Sequence, residues 1–499
     1  MFCVVRVAQT LTLEERSSRQ HTYELQLKKT DTSREDDMIR SYMNEQSTRN
    51  AIQLLGVDAV TSSTIALTAA RGNRLWATYY GEIILGNVED ESDTFKVLFD
   101  TGSSELWVPD ELCQSSACLS RKRFAREGRW TAKFDQHGNY VPILVKYLTG
   151  EMRAVDGTAD VNLMNGITVK NANVGLATNI NIPILMELPW DGILGLGFAT
   201  DDQLSRGSRP LLQSIQDNSL MYPHYRNQFA YYITKTGGNV TFGGYNNDYK
   251  RSPEDEFQWV PVSEKGSYWA VNLLEVSVKE PENYVTRRRA HTSKLKNNVL
   301  GGAVDSPLGS NNHTEGGIES DIANREGSSS VTKSDAFTTS ERAASVRESH
   351  DEDTYTVYRN KIDDTKVIID TGTYLIYAPQ VDKRQLHYIR YQTMRNLIAS
   401  LTVDRCDDMR TLPTLIFTLQ GNSREGTVKV QLTPDDYVLK FNDDDGQQIC
   451  TLGITVDDQQ EELQLNAWTF GEVFLRAYYT VFDYDQRQIG FTPSRRDAQ

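Results

Sequence analysis

VLFDTGSSELWVP, from Val97 to Pro109, ends an apolar run on an acid, Asp100, and then turns through small hydroxyl residues and glycine. VIIDTGTYLIYAP, from Val367 to Pro379, does the same at Asp370, so Asp370-Thr371-Gly372 repeats Asp100-Thr101-Gly102. Two carboxylates brought to one place can divide general-acid and general-base work between them. A single Asp-Thr-Gly tripeptide would be a weak signal, because turns after strands commonly use Asp for capping and Gly for its backbone freedom. Here there are two copies, each preceded by three apolar residues and followed by Ser or Thr and a further apolar stretch. Each copy also has a later companion, Ile193-Leu194-Gly195 for the first and Thr469-Phe470-Gly471 for the second, which gives the chain an internal two-fold repeat.

The elements that must carry these acids read as strands. At 499 residues the chain exceeds the size at which one hydrophobic core keeps growing, so two lobes plus extra segments are expected. Runs rich in Val, Ile, Thr and Tyr between Gly and Asn turns, with 24 Tyr in all, favour β-structure over helix bundles. Dense strand signals start at Leu75 with WATYYGEIILG, FKVLFD and LWVP. They continue to WDGILGLGF, after which GSRPLLQSIQDNSL reads as a short helix and Gly237 to Tyr249 as a hairpin. Residues 1–74 are polar and mixed in charge, with an alternating stretch from His21 to Leu27 and a helix-like run through Ile39, Tyr42 and Met43. The divisions expected are 1–74 as an N-terminal segment, 75–255 as a first lobe and 256–499 as a second. Within the second lobe, about 284–353 is rich in Ser, Asn, Gly, Glu and Thr; it cannot bury enough apolar surface to offset its ordering entropy and reads as a disordered surface insertion. Arg287-Arg288-Arg289 and Asn312-His313-Thr314 inside it are weak processing and glycosylation signals, and a solvated loop explains both.

A net charge of -15 argues against nucleic acid as a partner, since phosphate binding needs a basic face. Cys113 and Cys118 have the spacing of a small loop staple, Cys406 and Cys450 could clamp a longer hairpin, and Cys3 is left over. Two disulfides would place the protein in an oxidising secretory compartment; four reduced core thiols in the cytosol are the competing account. No His or further Cys lies near either pair, so no zinc, and no metal or cofactor of any kind, is expected. No apolar run is long enough to cross a bilayer, and MFCVVRVAQT, interrupted by Arg6, is too short for a signal-peptide core. Secretion, to an acidic vesicle or lysosome-like compartment or to the outside, is therefore inferred from the cysteines.

The chain resembles the pepsin-like aspartic proteases over roughly residues 75 to 493. The resemblance rests on YYGEIILG, FDTGSSELWVP, the Cys113 to Cys118 spacing, KYLTGEM, WDGILGLG, GGNVTFGGY, IDTGTYLIYAP and WTFGEVFLRAYYTVFDYDQRQIGF. It implies an all-β dominated, bilobal fold in which two β-lobes meet at a central cleft under a hairpin flap. It also implies a monomeric endopeptidase acting on protein or peptide substrates with apolar side chains flanking the scissile bond. Asp100 and Asp370 would be the catalytic pair: carboxylates about 3 Å apart cannot both ionise cheaply, so they share a proton and polarise a water. Thr101 and Thr371 resemble the threonines that lock the two loops together, and Ser103 and Thr373 would donate to the outer carboxylate oxygens.

By the same resemblance, Tyr147 would be the flap tyrosine and Trp107 the donor to its hydroxyl. Leu98, Tyr147, Trp190 and Ile193 would surround the pocket for the residue before the scissile bond, although each could equally be a core residue. Gly102, Thr149, Gly372 and Thr373 would hydrogen-bond the extended peptide. The sequence departs from the family pattern at Leu148, where Gly is usual, at Glu151, where a small residue is common, and at Tyr374, expected to fill a distal subsite. A disulfide usual just before the second motif is absent, which together with the long insertion is similar to protozoan plasmepsin-like members. TYELQLKK resembles the first strand of the family's propeptide, which implies a zymogen. Two other classes compete: a catalytically inactive peptide-binding protein on this fold, which the intact acids disfavour, and a two-carboxylate glycoside hydrolase, which the twin Asp-Thr-Gly loops disfavour.

Overall fold

The computed structural model describes residues 23–29, 79–86, 93–147, 150–163, 167–217, 226–234, 237–263, 266–279, 281, 354–359, 365–379, 406–422, 426–442, 448–456 and 467–496. Thr149, Leu148, Cys3, the helix-like run from Ile39 to Met43 and the 284–353 stretch lie outside them. As expected, strands dominate. Two large sheets, of sixteen and eight strands among the described residues, carry the two motifs.

The internal repeat is visible as a repeated pairing. Strand Thr94–Asp100 runs parallel to Gly192–Gly195, which is antiparallel to Leu106–Pro109, which in turn is parallel to Gly175–Asn181. In the second sheet, Lys366–Ile369 is parallel to Ala467–Phe470, which is antiparallel to Ile376–Ala378, itself parallel to Ile454–Val456. Each motif therefore sits where a strand leaves a sheet and returns beside a strand from much later in the chain. Both faces of these strands are covered: Leu106–Pro109 and Ala467–Phe470 are buried at every position. Their sequences accordingly read as continuous apolar runs rather than alternating ones.

The large sheet also takes strands from both ends of the chain. Tyr23–Lys29 lies between Gly237–Phe242 and Tyr79–Leu85, antiparallel to both. Gln258–Pro261, Tyr478–Asp483 and Gln488–Pro493 extend the same sheet beyond Gln228–Ile233. One apolar core runs from Tyr79 to Phe491, with the fully buried Trp269 packed on Phe198, Phe229 and Phe482. The expected short helix is present at Leu211–Asp217, preceded by another at Asp201–Ser205. Gly237 to Tyr249 differs from the expected hairpin. Only Gly237–Phe242 is a strand, paired with the preceding Gln228–Ile233; the Asn246 side chain then accepts the Asp248 N–H and starts a 3-10 turn instead of a second strand.

Disulfides join Cys113 to Cys118 and Cys406 to Cys450. No helix among the described residues is long and apolar enough to cross a membrane.

Candidate active site

Asp100 closes the strand Thr94–Asp100, and Asp370 follows the strand Lys366–Ile369. The two loops meet through their threonines. The Thr101 N–H donates to Thr371 Oγ1 at 2.9 Å and the Thr371 N–H to Thr101 Oγ1 at 3.0 Å. Each hydroxyl in turn donates to a carbonyl of the opposite strand, Thr101 to Ile369 at 2.8 Å and Thr371 to Phe99 at 2.6 Å. These groups are buried, so every one of them needs its partner.

The two carboxyls have matched surroundings. Asp100 Oδ1 accepts the Gly102 N–H at 2.9 Å, and Asp370 Oδ1 accepts the Gly372 N–H at 2.8 Å. The outer oxygens accept hydroxyls, from Ser103 on Asp100 and from Thr373 on Asp370. Each glycine backs onto the opposite acid: a Cβ on Gly102 would lie 2.7 Å from Asp370 Oδ1, and one on Gly372 2.5 Å from Asp100 Oδ1. Only a residue without a side chain lets the loops close this far.

Burial is the main cause that raises both acids above the ordinary carboxylate range. Asp100 is pushed up to about 8, first by burial, then by the charge of Asp370, against the pull of Ser103 and Gly102. The Thr373, Gly372 and Asp100 hydrogen bonds lower Asp370 in part. Both carboxyls are thus held above the ordinary range, and with Asp100 pushed up to about 8 the pair keeps a proton at neutral pH without its being assigned to either acid.

Strands Pro142–Tyr147 and Gly150–Val155 form an antiparallel hairpin with Tyr147 opposite Gly150. Tyr147 is half-buried, and its hydroxyl accepts the indole N–H of the fully buried Trp107 at 2.7 Å. Leu98, Trp107, Trp190 and Ile193 gather with Ile143 and Met152 in an apolar cluster separate from the main core, and Tyr147 packs against it. Trp190 is held beside the first motif by its neighbour: Asp191 accepts the N–H groups of Lys96 and Lys122, and the Asp191 N–H donates to the Lys96 carbonyl. Among the described residues, Asp100, Gly102, Ser103, Asp370, Gly372 and Thr373 therefore lie on the two joined loops, and Leu98, Trp107, Tyr147, Trp190 and Ile193 at the adjoining cluster. Tyr374 does not serve as expected. It is 1 % exposed and packed in the main core, closed to a ligand, because the chain turns back into the sheet at Ile376.

Sequence reasoning missed Tyr268, whose hydroxyl is raised by burial and then by the charges of Asp370 and Asp100. It lies in GSYWAV, where nothing in the residue pattern distinguishes it from core tyrosines. It also missed the buried Arg206, which joins Glu105 and Asp156.

The family model described as eukaryotic aspartyl protease matches residues 78–293 and 329–494. The chain belongs to that family. The stretch between the two matches falls inside the segment expected to be an insertion. Among aspartyl proteases, plasmepsin VII of Plasmodium falciparum is 33 % identical over 430 residues, covering 85 % of this chain and 80 % of that protein. Plasmepsin VI of Plasmodium berghei is 25 % identical over 428 residues, covering 84 % and 75 %. Pepsin A of Rhinolophus ferrumequinum is 26 % identical over 466 residues, covering 92 % and 91 %.

Proposed function

We propose that this aspartyl protease family member is an active endopeptidase and that Asp100 and Asp370 are its catalytic pair. The observation that carries the reading is the pair of raised carboxyls whose loops are joined through Thr101 and Thr371 and whose outer oxygens have matched donors. With one proton between them, the ionised acid takes a proton from a bound water as the water oxygen attacks the peptide carbonyl carbon. The neutral acid gives its proton to the carbonyl oxygen. Collapse of the tetrahedral species then breaks the C–N bond, with a proton passing to the leaving nitrogen.

The substrate lies extended across the acids, bonded to backbone at Gly102, Gly372, Thr373 and Thr149. The apolar cluster of Leu98, Trp190 and Ile193 receives the side chain before the scissile bond, and Tyr147 closes over it. Residues 1–74 act as a propeptide. Its strand Tyr23–Lys29 is built into the large sheet, so release requires that strand to leave or be replaced. The two disulfides fit maturation in an oxidising secretory compartment.

The deciding experiment is hydrolysis of peptides bearing apolar side chains across a pH range, by the wild type and by Asp100→Asn and Asp370→Asn. Loss of turnover in both variants, with folding retained, supports the reading. Turnover that survives either change excludes the pair, and peptide binding without any wild-type turnover would establish an inactive binding protein instead. Acidification that activates the chain without shortening it would exclude the propeptide role.

A further inference from the structure

Arg206 follows the helix Asp201–Ser205, whose start is fixed by a capping box between Thr200 and Gln203. Its side chain is 8 % exposed and meets three carboxylates: Glu105, Asp156 at 2.7 Å and the exposed Asp202 at 2.9 Å. Glu105 lies between Ser103, which donates to Asp100, and Trp107, which donates to Tyr147. Asp156 joins strand Gly150–Val155 to the following strand, at the base of the hairpin that carries Tyr147. Its N–H donates to the Val141 carbonyl at 2.8 Å, just before the other strand of that hairpin. One guanidinium therefore ties the loop of the first acid to the root of the Tyr147 hairpin.

Neighbouring contacts point the same way. Gln203, from the same helix, donates to the Ser104 carbonyl at 3.0 Å. Gly197 donates to the Ser103 carbonyl at 2.7 Å and Gly195 to the Glu105 carbonyl at 2.9 Å, so the loop backbone is held at three successive residues. Without Arg206, Glu105 and Asp156 would face each other nearly dry, with Lys133 3.9 Å from Asp156 as the other cation on that carboxylate. Burial already raises Glu105 above the ordinary range while Arg206 pulls it down, and its charge is felt at Tyr147.

We propose that Arg206 is a positioning residue for proteolysis: by holding Glu105 and Asp156 together as carboxylates, it sets the Ser103 to Trp107 segment and the Tyr147 hairpin in mutual register. This rests on the proteolytic reading above.

The test compares wild type, Arg206→Met, Arg206→Lys and the Glu105→Gln/Arg206→Met double variant in peptide hydrolysis against pH, with hydrogen exchange of residues 142–155. In Arg206→Met, kcat is expected to fall about tenfold or more while KM changes little, a loss typical of misplaced groups. The deficit grows with pH, because Glu105, already raised by burial, then ionises without a guanidinium beside it. Arg206→Lys recovers part of kcat, the double variant loses the added pH dependence, and hairpin exchange speeds up in Arg206→Met. A folded Arg206→Met enzyme with wild-type kcat, pH profile and exchange overturns the proposal. If Arg206→Met does not fold, Glu105→Gln decides: a lower kcat with faster hairpin exchange supports it, and wild-type behaviour overturns it. A wild type without turnover would instead defeat the proteolytic reading, and the exchange comparison would still test Arg206.

Discussion

Thr101 and Thr371 exchange hydrogen bonds, each hydroxyl accepting the other residue's N–H while donating to a carbonyl on the far strand. Thr371→Val removes the acceptor for the Thr101 N–H and the donor for the Phe99 carbonyl, leaving two buried polar groups unmet. At about 1–3 kcal/mol for each such group, the variant should lose roughly 3 kcal/mol or more in urea unfolding. Thr371→Ser keeps the hydroxyl and should lose clearly less. A larger loss in Thr371→Ser, which lacks only the methyl group, than in Thr371→Val would mean that the methyl group, and not the hydrogen bonds, joins the loops.

Gly102 and Gly372 leave no room for a methyl group. A Cβ at either would press on the opposite carboxyl from 2.7 or 2.5 Å. Gly102→Ala and Gly372→Ala should each lower kcat by about a hundredfold, the scale expected for a displacement near 1 Å. Overpacking should remove only about 1–3 kcal/mol of stability. Kinetics and thermal melts on the same samples separate the two effects; near-normal turnover in either variant would show that the acids need not approach so closely.

The acids also set a pH dependence whose sign follows from their burial. Asp100 rises from 3.8 to about 8, so over that interval the folded chain keeps a proton that the unfolded chain has lost. Stability from this group is therefore fully present below the lower value and is lost as pH rises through the upper one. Melting temperature should fall across that window in the wild type and fall less in Asp100→Asn. Proteolysis should decline above a pH of about 8, where the shared proton leaves. Parallel melting curves for the two proteins would contradict the raised value.

The two disulfides should differ in worth. Their sequence separations are 5 and 44 residues, and constraint of the unfolded chain grows with loop length. The chain-entropy relation gives about 2 kcal/mol for the short loop and about 4 kcal/mol for the long one. Replacing Cys406 and Cys450 by Ser should therefore destabilise more than replacing Cys113 and Cys118, as read by denaturant midpoints. The reverse order would place the effect in the native loops instead.

Much of the site is legible in the sequence. Asp100, Asp370, their glycines and their hydroxyl neighbours lie within four residues of each other in two repeated motifs, because the bonds to each carboxylate are made by its own loop. Trp107 and Tyr147 were reached through the family resemblance rather than through spacing. Tyr268 and Arg206 were not reached at all: their partners are distant in the chain, and a tyrosine in a strand or an arginine after a helix has no local mark of its surroundings. Tyr374 was misplaced for the same reason, since a position next to a motif does not say which way the side chain turns.

By itself the sequence determined the residue types at the two turns, the apolar strands that end in them and the cysteines available for pairing. Those features depend on neighbours in the chain and on strand alternation, which is a local rule. Only the tertiary structure decided that Gly102 backs onto Asp370, that strands from both ends of the chain complete the large sheet, and that one guanidinium joins Glu105 to Asp156. Such contacts are set by how sheets stack and close, so they appear only when residues far apart in sequence are pressed into the same dry space.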